Sequence, residues 1–149
     1  MRTVQKSVLV PHSAAMMFDL VDGCERYPDF LPWCSAVELF ERTAEVTRAR
    51  LDIDYHGLKT HISTVNRKHP LERMDIGFVA GPFEKFQGHW RFTALGDAGC
   101  RVDFALDYAF SNGAMDALLA PVFGRIVETL VECFVQRADA LAARGAGRG

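Results

Sequence analysis

From Thr3 to Val10 the chain alternates, with Val4, Lys6, Val8 and Val10 on one side and Thr3, Gln5, Ser7 and Leu9 on the other. A period of two predicts a strand, and Pro11 ends it. Ser13 is placed to cap a short helix running to about Val21, because Ala14, Met17, Phe18 and Val21 share a stripe. The segment Tyr27-Pro28-Asp29-Phe30-Leu31-Pro32-Trp33-Cys34 follows. Its two prolines allow no more than a turn of helix, yet a loop this apolar must dock on something.

Strand patterns then fill Ser35 to Phe110. Ala36 to Arg42 alternates, and in the next run Thr47, Ala49, Leu51, Ile53 and Tyr55 oppose Arg48, Arg50, Asp52, Asp54 and His56. Beyond a turn at Gly57, Leu58, Thr60, Ile62 and Thr64 oppose Lys59, His61, Ser63 and Arg67, with Val65 breaking the rule. Met74, Ile76 and Phe78 form one apolar face, and Phe86, Gly88, Trp90 and Phe92 the next, with Gly81-Pro82 as the turn between them. A connection at Gly96-Asp97-Ala98-Gly99 leads into the cleanest alternation: Val102, Phe104, Leu106, Tyr108 and Phe110 against Arg101, Asp103, Ala105 and Asp107.

After Ser111-Asn112-Gly113 the period becomes helical, with Leu119, Val122, Phe123, Ile126, Leu130, Cys133, Phe134 and Leu141 on one stripe. Pro121 is expected to kink this helix or to start its longer half. Successive strands joined by short turns make an antiparallel sheet with one apolar face, and a single long amphipathic helix is the natural cover for that face. The predicted fold is therefore α+β, a helix-grip in which a curved sheet wraps one C-terminal helix. A gap between sheet and helix would bind apolar ligands. One domain is expected over residues 1–143, with a disordered tail at 144–149.

Composition narrows the function classes. The chain has 149 residues, 49% of them hydrophobic, and a net charge of −2, so no global field draws it to DNA or to an acidic membrane. No apolar run approaches the ~20 residues of a membrane span, and residues 1–6 lack a secretory core, which predicts a cytoplasmic protein. Cys24, Cys34, Cys100 and Cys133 include no C-x-x-C pair, so they read as free, partly buried thiols.

Catalytic and metal chemistry find little support. His12, His56, His61, His69 and His89 are scattered, and the inward registers hold no histidine and no carboxylate pair, so no enzyme and no metal site are expected. Asp52 and Asp54 beside Arg50 and His56 read as a solvated charged face. Arg48, Arg50, Lys59, Arg67, Lys68, Lys85, Arg91 and Arg101 share the outer register, but interleaved Asp52, Asp54, Asp75, Asp103 and Asp107 dilute any phosphate-binding field.

Three stretches resemble a known family. Residues 27–34 are similar to the Y-P-x-F-L-P-W-C signature of coenzyme-Q-binding START-domain proteins, and Gly81 to Phe92 to their G-P-F-x-x-L-x-G-x-W-x-F segment, with Phe86 in place of Leu. The run from Pro121 to Ala138 is similar to their C-terminal helix, with Cys133 where a small Ala is usual. This family lies within the polyketide cyclase/dehydrase-like START group and includes the ribosome-association toxins (RatA-like).

Periodicity alone describes the apolar face as a filled core. The resemblance turns the same face into a ligand chamber. It implies that ubiquinone, or a similar isoprenoid lipid, is carried without chemistry between sheet and helix in support of respiration. Tyr55, Phe78, Trp90, Phe92, Phe104, Tyr108, Phe123, Ile126 and Leu130 would line that chamber. Thr60, Thr64, Tyr108 and Glu72 are its candidate polar groups. Tyr27, Pro28, Phe30, Leu31, Pro32 and Trp33 would form either a plug or a gate, the latter able to touch a membrane surface at the periphery of the inner membrane. The alternative implied by the resemblance is a toxin that binds the large ribosomal subunit and blocks subunit joining. A cyclase with an inward acid such as Glu72 is a weaker third reading.

Overall fold

Two edge strands far apart in space are joined by a short helical crossover, and this arrangement organises the whole molecule. The computed structural model describes residues 1–148. Its elements in chain order are β1 (Arg2–Val10), α1 (Ala14–Asp22), a 3-10 segment (Cys24–Asp29), β2 (Cys34–Arg42), β3 (Val46–Tyr55), β4 (Leu58–His69), β5 (Arg73–Ala80), β6 (Phe83–Ala94), β7 (Cys100–Phe110) and α2 (Gly113–Arg148). The seven strands form one antiparallel sheet in the order β1-β7-β6-β5-β4-β3-β2. β1 pairs with β7 at one edge, so α1 and the 3-10 segment must carry the chain across to β2 at the other edge.

Local chemistry sets the boundaries. Ser13 caps α1 by accepting from the Met16 N–H at 3.1 Å, and Asn112 Oδ1 accepts from the Met115 N–H at 2.9 Å where α2 begins. His56 (φ 49°) and Gly57 (φ 81°) make the two-residue turn between β3 and β4, whose positive φ values match the twist of the paired strands. Pro121 lies inside α2, which is one helix rather than two. The helix continues through Arg148 and so covers most of the 144–149 stretch expected to fray; Gly149 lies outside the described residues.

The core sits between the sheet and α2. Phe134 is almost fully buried and receives the rings of Tyr27, Phe30 and Trp90 edge-on at centroid distances of 5.5, 5.3 and 5.3 Å. His12 Nε2 donates to Asp139 Oδ1 at 2.6 Å, tying the start of the crossover to the far part of α2.

The alternation in β4 runs further than its sequence suggests. Ile62, Thr64, Asn66 and Lys68 all point inward, while Val65 points outward. Val65 is tolerated there because its partner across the strand pair is Gly77. A Cβ on Gly77 would lie 3.0 Å from Val65 Cγ1, so the valine methyl occupies the space the glycine leaves.

Candidate functional site

Two regions have the geometry of a binding site, one inside the grip and one on the outer face. The inner region is a cavity of about 100 Å³ between β3–β7 and α2. Of the residues expected to line it, Trp90, Phe104, Phe123, Ile126 and Leu130 do, and Tyr27 and Trp33 join them from the loop.

Four of the expected lining residues lie elsewhere. Tyr55 packs on His56 at the β3–β4 turn, with ring centroids 4.1 Å apart. Phe78 packs on Phe83 and Phe86, and Phe92 sits between Phe18 and Trp90. Tyr108 is enclosed by Phe83, Phe110 and Phe123. Alternation identifies the face of a residue but not its depth along the sheet, and these rings fill space against one another.

The 27–34 segment is anchored in the core by alternate side chains. Tyr27, Leu31 and Trp33 are buried, and Tyr27 donates its hydroxyl to the Val21 carbonyl. Burial holds the Tyr27 phenol well above its ordinary pKa, with the nearby thiol of Cys24 and carboxylate of Asp22 adding to the effect. Phe30 is half-buried beneath the Arg137 guanidinium, 5.4 Å above its ring, while Pro28 and Pro32 are exposed and hold the bend.

Among the polar groups expected inside, Thr64 alone lines the cavity. Glu72 is exposed, and neither Thr60 nor Tyr108 borders the cavity. Sequence reading missed Asn66, the Trp33 indole N–H and Lys68. Asn66 and Lys68 would have followed from extending the β4 alternation past Val65.

Lys68 is not part of the outer basic face. Its side chain is 4% exposed, and its ammonium lies 3.2 Å from Asp22 Oδ2. Asp22 also accepts from Thr47 Oγ1 at 2.9 Å and from Arg42 at 2.9 Å, and Arg42 reaches on to Glu25. This network pins the end of α1 to β2, β3 and β4.

The outer face carries in-strand ion pairs on three strands: Arg50–Asp52 at 2.9 Å, Arg73–Asp75 at 2.6 Å and Arg101–Asp103 at 3.0 Å. Arg48 is likewise paired, with Glu41 at 2.8 Å. At the centre the balance shifts. Arg73 stands directly opposite Arg91 in the β5–β6 register, and Arg67 and Arg101 flank them on β4 and β7. Among the described residues neither Arg67 nor Arg91 is within ion-pair distance of a carboxylate, although Asp75 faces Arg67 across β4–β5 and Asp103 faces Arg91 across β6–β7. Two aspartates, Asp75 and Asp103, answer these four arginines.

A groove of about 600 Å³ runs across this face, with Gly77 and Ala105 in its floor and Arg67, Arg73, His89, Asp75 and Asp107 along it. The pKa of His89 is held below its ordinary value, first by burial and then by the charges of Arg73 and Arg91. For Asp75, burial works upward, but the bond and charge of Arg73, with His69 at 3.5 Å, bring its carboxyl below the usual value. The neighbouring arginines add to the burial effect at His89, and at Asp75 the bond and charge of Arg73 outweigh it.

A curved antiparallel sheet closed by one long helix over an apolar cavity defines a START-like helix-grip protein. The chain belongs to the polyketide cyclase / dehydrase and lipid transport family, whose sequence profile matches residues 10–135. The ribosome association toxin RatA of Pseudomonas aeruginosa is 36% identical over 138 residues, covering 93% of this chain and 96% of that protein. The mitochondrial coenzyme Q-binding protein COQ10 homolog B of Xenopus laevis is more distant, at 24% identity, covering 93% of this chain and 59% of that one. Among solved structures, the Zhui aromatase/cyclase of Streptomyces superposes with a TM-score of 0.79 over 93% of both chains, at 18% identity, which establishes a shared fold. No helix among the described residues is long and apolar enough to cross a membrane.

Proposed function

We propose that this protein associates with the ribosome, as the named RatA relatives do, and that it docks through the outer face of its sheet without performing chemistry. The observation that carries this reading is the Arg73–Arg91 pair at the centre of that face. Like charges directly opposite one another weaken a sheet, and Asp75 beside Arg73 and Asp103 opposite Arg91 offset only two of the four arginines, which leaves charge for a further anionic partner. A phosphodiester backbone supplies one, since arginine forks match phosphate oxygens in charge and geometry. The large subunit is the finer assignment, and a block of subunit joining its expected consequence.

The experiment is co-sedimentation with purified ribosomal subunits across a salt series. Arg48 and Arg50 are paired with Glu41 and Asp52 and serve poorly. Arg67→Glu and Arg91→Glu are the informative changes, with Arg125→Glu on the exposed side of α2 as the control. The reading predicts loss of large-subunit association in the first two, none in the third, and weaker binding as salt rises. Equal behaviour of all three variants, each still folded, would reject it.

A second reading is binding of an isoprenoid quinone in the cavity, favoured by its aromatic lining and by the coenzyme-Q-binding relative. The cavity volume of about 100 Å³ is small for that occupant, because pockets for drug-sized ligands span roughly 300–1,000 Å³. A quinone ring with its tail would require α2 or the 27–34 segment to move outward.

A further inference from the structure

A leucine occupies a backbone position suited to glycine at the turn between β4 and β5. The turn is His69-Pro70-Leu71-Glu72, closed by the Glu72 N–H donating to the His69 carbonyl at 3.0 Å. Proline fixes its own φ at about −65°, and Leu71 has φ 67°, which makes a type II turn with leucine third. Glycine is favoured there, because a side chain at positive φ is strained. Leu71 also leaves 47% of its surface exposed. A strained backbone and an apolar group in water both count against leucine, which points to a role outside the fold. The turn is held in place, since the Phe92 N–H on β6 donates to the Glu72 carbonyl at 2.8 Å.

Leu71 lines a groove of about 610 Å³ together with Ala14 and Ala15 of α1, Thr93 and Ala94 of β6, and the side chains of Arg73 and Arg91. Glu72 is the carboxylate in that lining. Arg73 engages Asp75 through Nε alone, so its terminal nitrogens keep free donors, and Arg91 is within ion-pair distance of no carboxylate among the described residues. The groove thus sets an aliphatic anchor beside two guanidinium groups. Its match is a chain with an aliphatic side chain to bury against Leu71 and the alanines, and a carboxylate to accept from the arginines. A phosphodiester strand supplies the charge but no aliphatic group, and a lipid surface needs more apolar area than one leucine. Two residues separate Leu71 from Arg73, at most about 7 Å of chain. We propose that this groove docks an extended segment of a partner protein, in which an aliphatic residue lies a few positions from an Asp or Glu. Leu71 belongs to the groove and not to the charged face proposed to meet the ribosome, so a Leu71 variant tests the one without altering the other.

The test pans a phage-displayed library of random short peptides on the intact chain, with counter-selection on Leu71→Gly. Enriched peptides should share the aliphatic and acidic pairing and bind Leu71→Gly about tenfold more weakly, the worth of one buried leucine contact. Arg91→Gln should weaken them by about the same factor, through a lost charged hydrogen bond. In an NMR titration the most enriched peptide, made synthetically, should shift the amides of Ala14, Ala15, Leu71, Arg73, Thr93 and Ala94. Leu71→Gly should also melt about 2–4 °C above the parent, because it sheds the strain of the turn. A leucine kept for packing alone would lower the melting point instead. Ribosome association enters none of these measurements, so their failure and the failure of that reading are told apart. No peptide that separates the parent from Leu71→Gly, enrichment without acidic residues, shifts centred elsewhere, or a lower melting point in Leu71→Gly would overturn the proposal. A concentration-dependent dimer dissolved by Leu71→Gly would overturn it too, by making a second copy the occupant.

Discussion

Lys68 reaches through the inner face of β4 to place its ammonium 3.2 Å from Asp22, at the end of a helix 46 residues earlier in the chain. The two partners are not equivalent. Asp22 keeps Arg42 and Thr47 if Lys68 is removed, whereas Lys68 has no second carboxylate among the described residues if Asp22 is removed. Asp22→Ala should therefore cost about 3–5 kcal/mol, the penalty of a buried charge left unpaired, and Lys68→Met only about 1 kcal/mol. Urea denaturation of the two variants checks the asymmetry; equal losses would show that the lysine is solvated after all.

The cysteines should resist modification in the native state. Burial raises Cys24 to about 12 and Cys34 to about 11, and it also raises Cys100 and Cys133. A thiol reacts as its thiolate, so at pH 8 a maleimide should label Cys24 and Cys34 only on the timescale of unfolding. Mass spectrometry of a labelling time course, with and without denaturant, reads this directly. Rapid native labelling of Cys24 would contradict the burial described above.

The proposed docking through the outer face carries a pH signature at His89. Its folded pKa lies below the unfolded value, so the unfolded chain binds the proton more readily and His89's contribution to stability falls as pH drops through about 6.5. An anion seated beside Arg73 and Arg91 reverses that preference by stabilising the protonated ring, in the same direction as the nearby Asp75 and Asp103. Association should strengthen between pH 7.5 and 6, and His89→Gln should flatten the profile. His69, which faces Asp75, is the control through His69→Gln. A profile unchanged by His89→Gln would remove this histidine from the docking surface.

Phe134 sets the strength of the grip. It touches Tyr27, Phe30 and Trp90, so Phe134→Ala removes a ring from three edge contacts and should cost about 3–5 kcal/mol. Phe40 is 58% exposed on the edge strand β2, and its alanine variant should lie within about 0.5 kcal/mol of the parent. Thermal unfolding of both distinguishes a packed interior from a collapsed one.

The strand count, the single long helix and the apolar face were all legible, because a period of two or of 3.6 is written into the order of residues such as Val102 to Phe110. What periodicity does not contain is position along a face. Trp90 and Phe92 occupy the same register, yet one borders the cavity and the other packs against Phe18. Val65 misled for a different reason: its outward placement depends on a missing Cβ at Gly77, a residue on another strand. Lys68 misled because a charged side chain reads as solvent-facing until its partner is found, and Asp22 lies on a separate helix. The Arg50–Asp52 pairing was legible from their alternation on one strand, whereas Arg48 meets Glu41 only through the β2–β3 register.

The β1–β7 pairing has a consequence in time. Arg2 meets Tyr108 and Val10 meets Cys100, so the first strand to be synthesised has its only sheet neighbour among the last. During translation β1 must wait, with its edge unmatched, while the other six strands leave the exit tunnel, and contacts this distant in sequence form slowly. A protein proposed to act on ribosomes thus reaches its folded state only when its own ribosome has nearly finished with it.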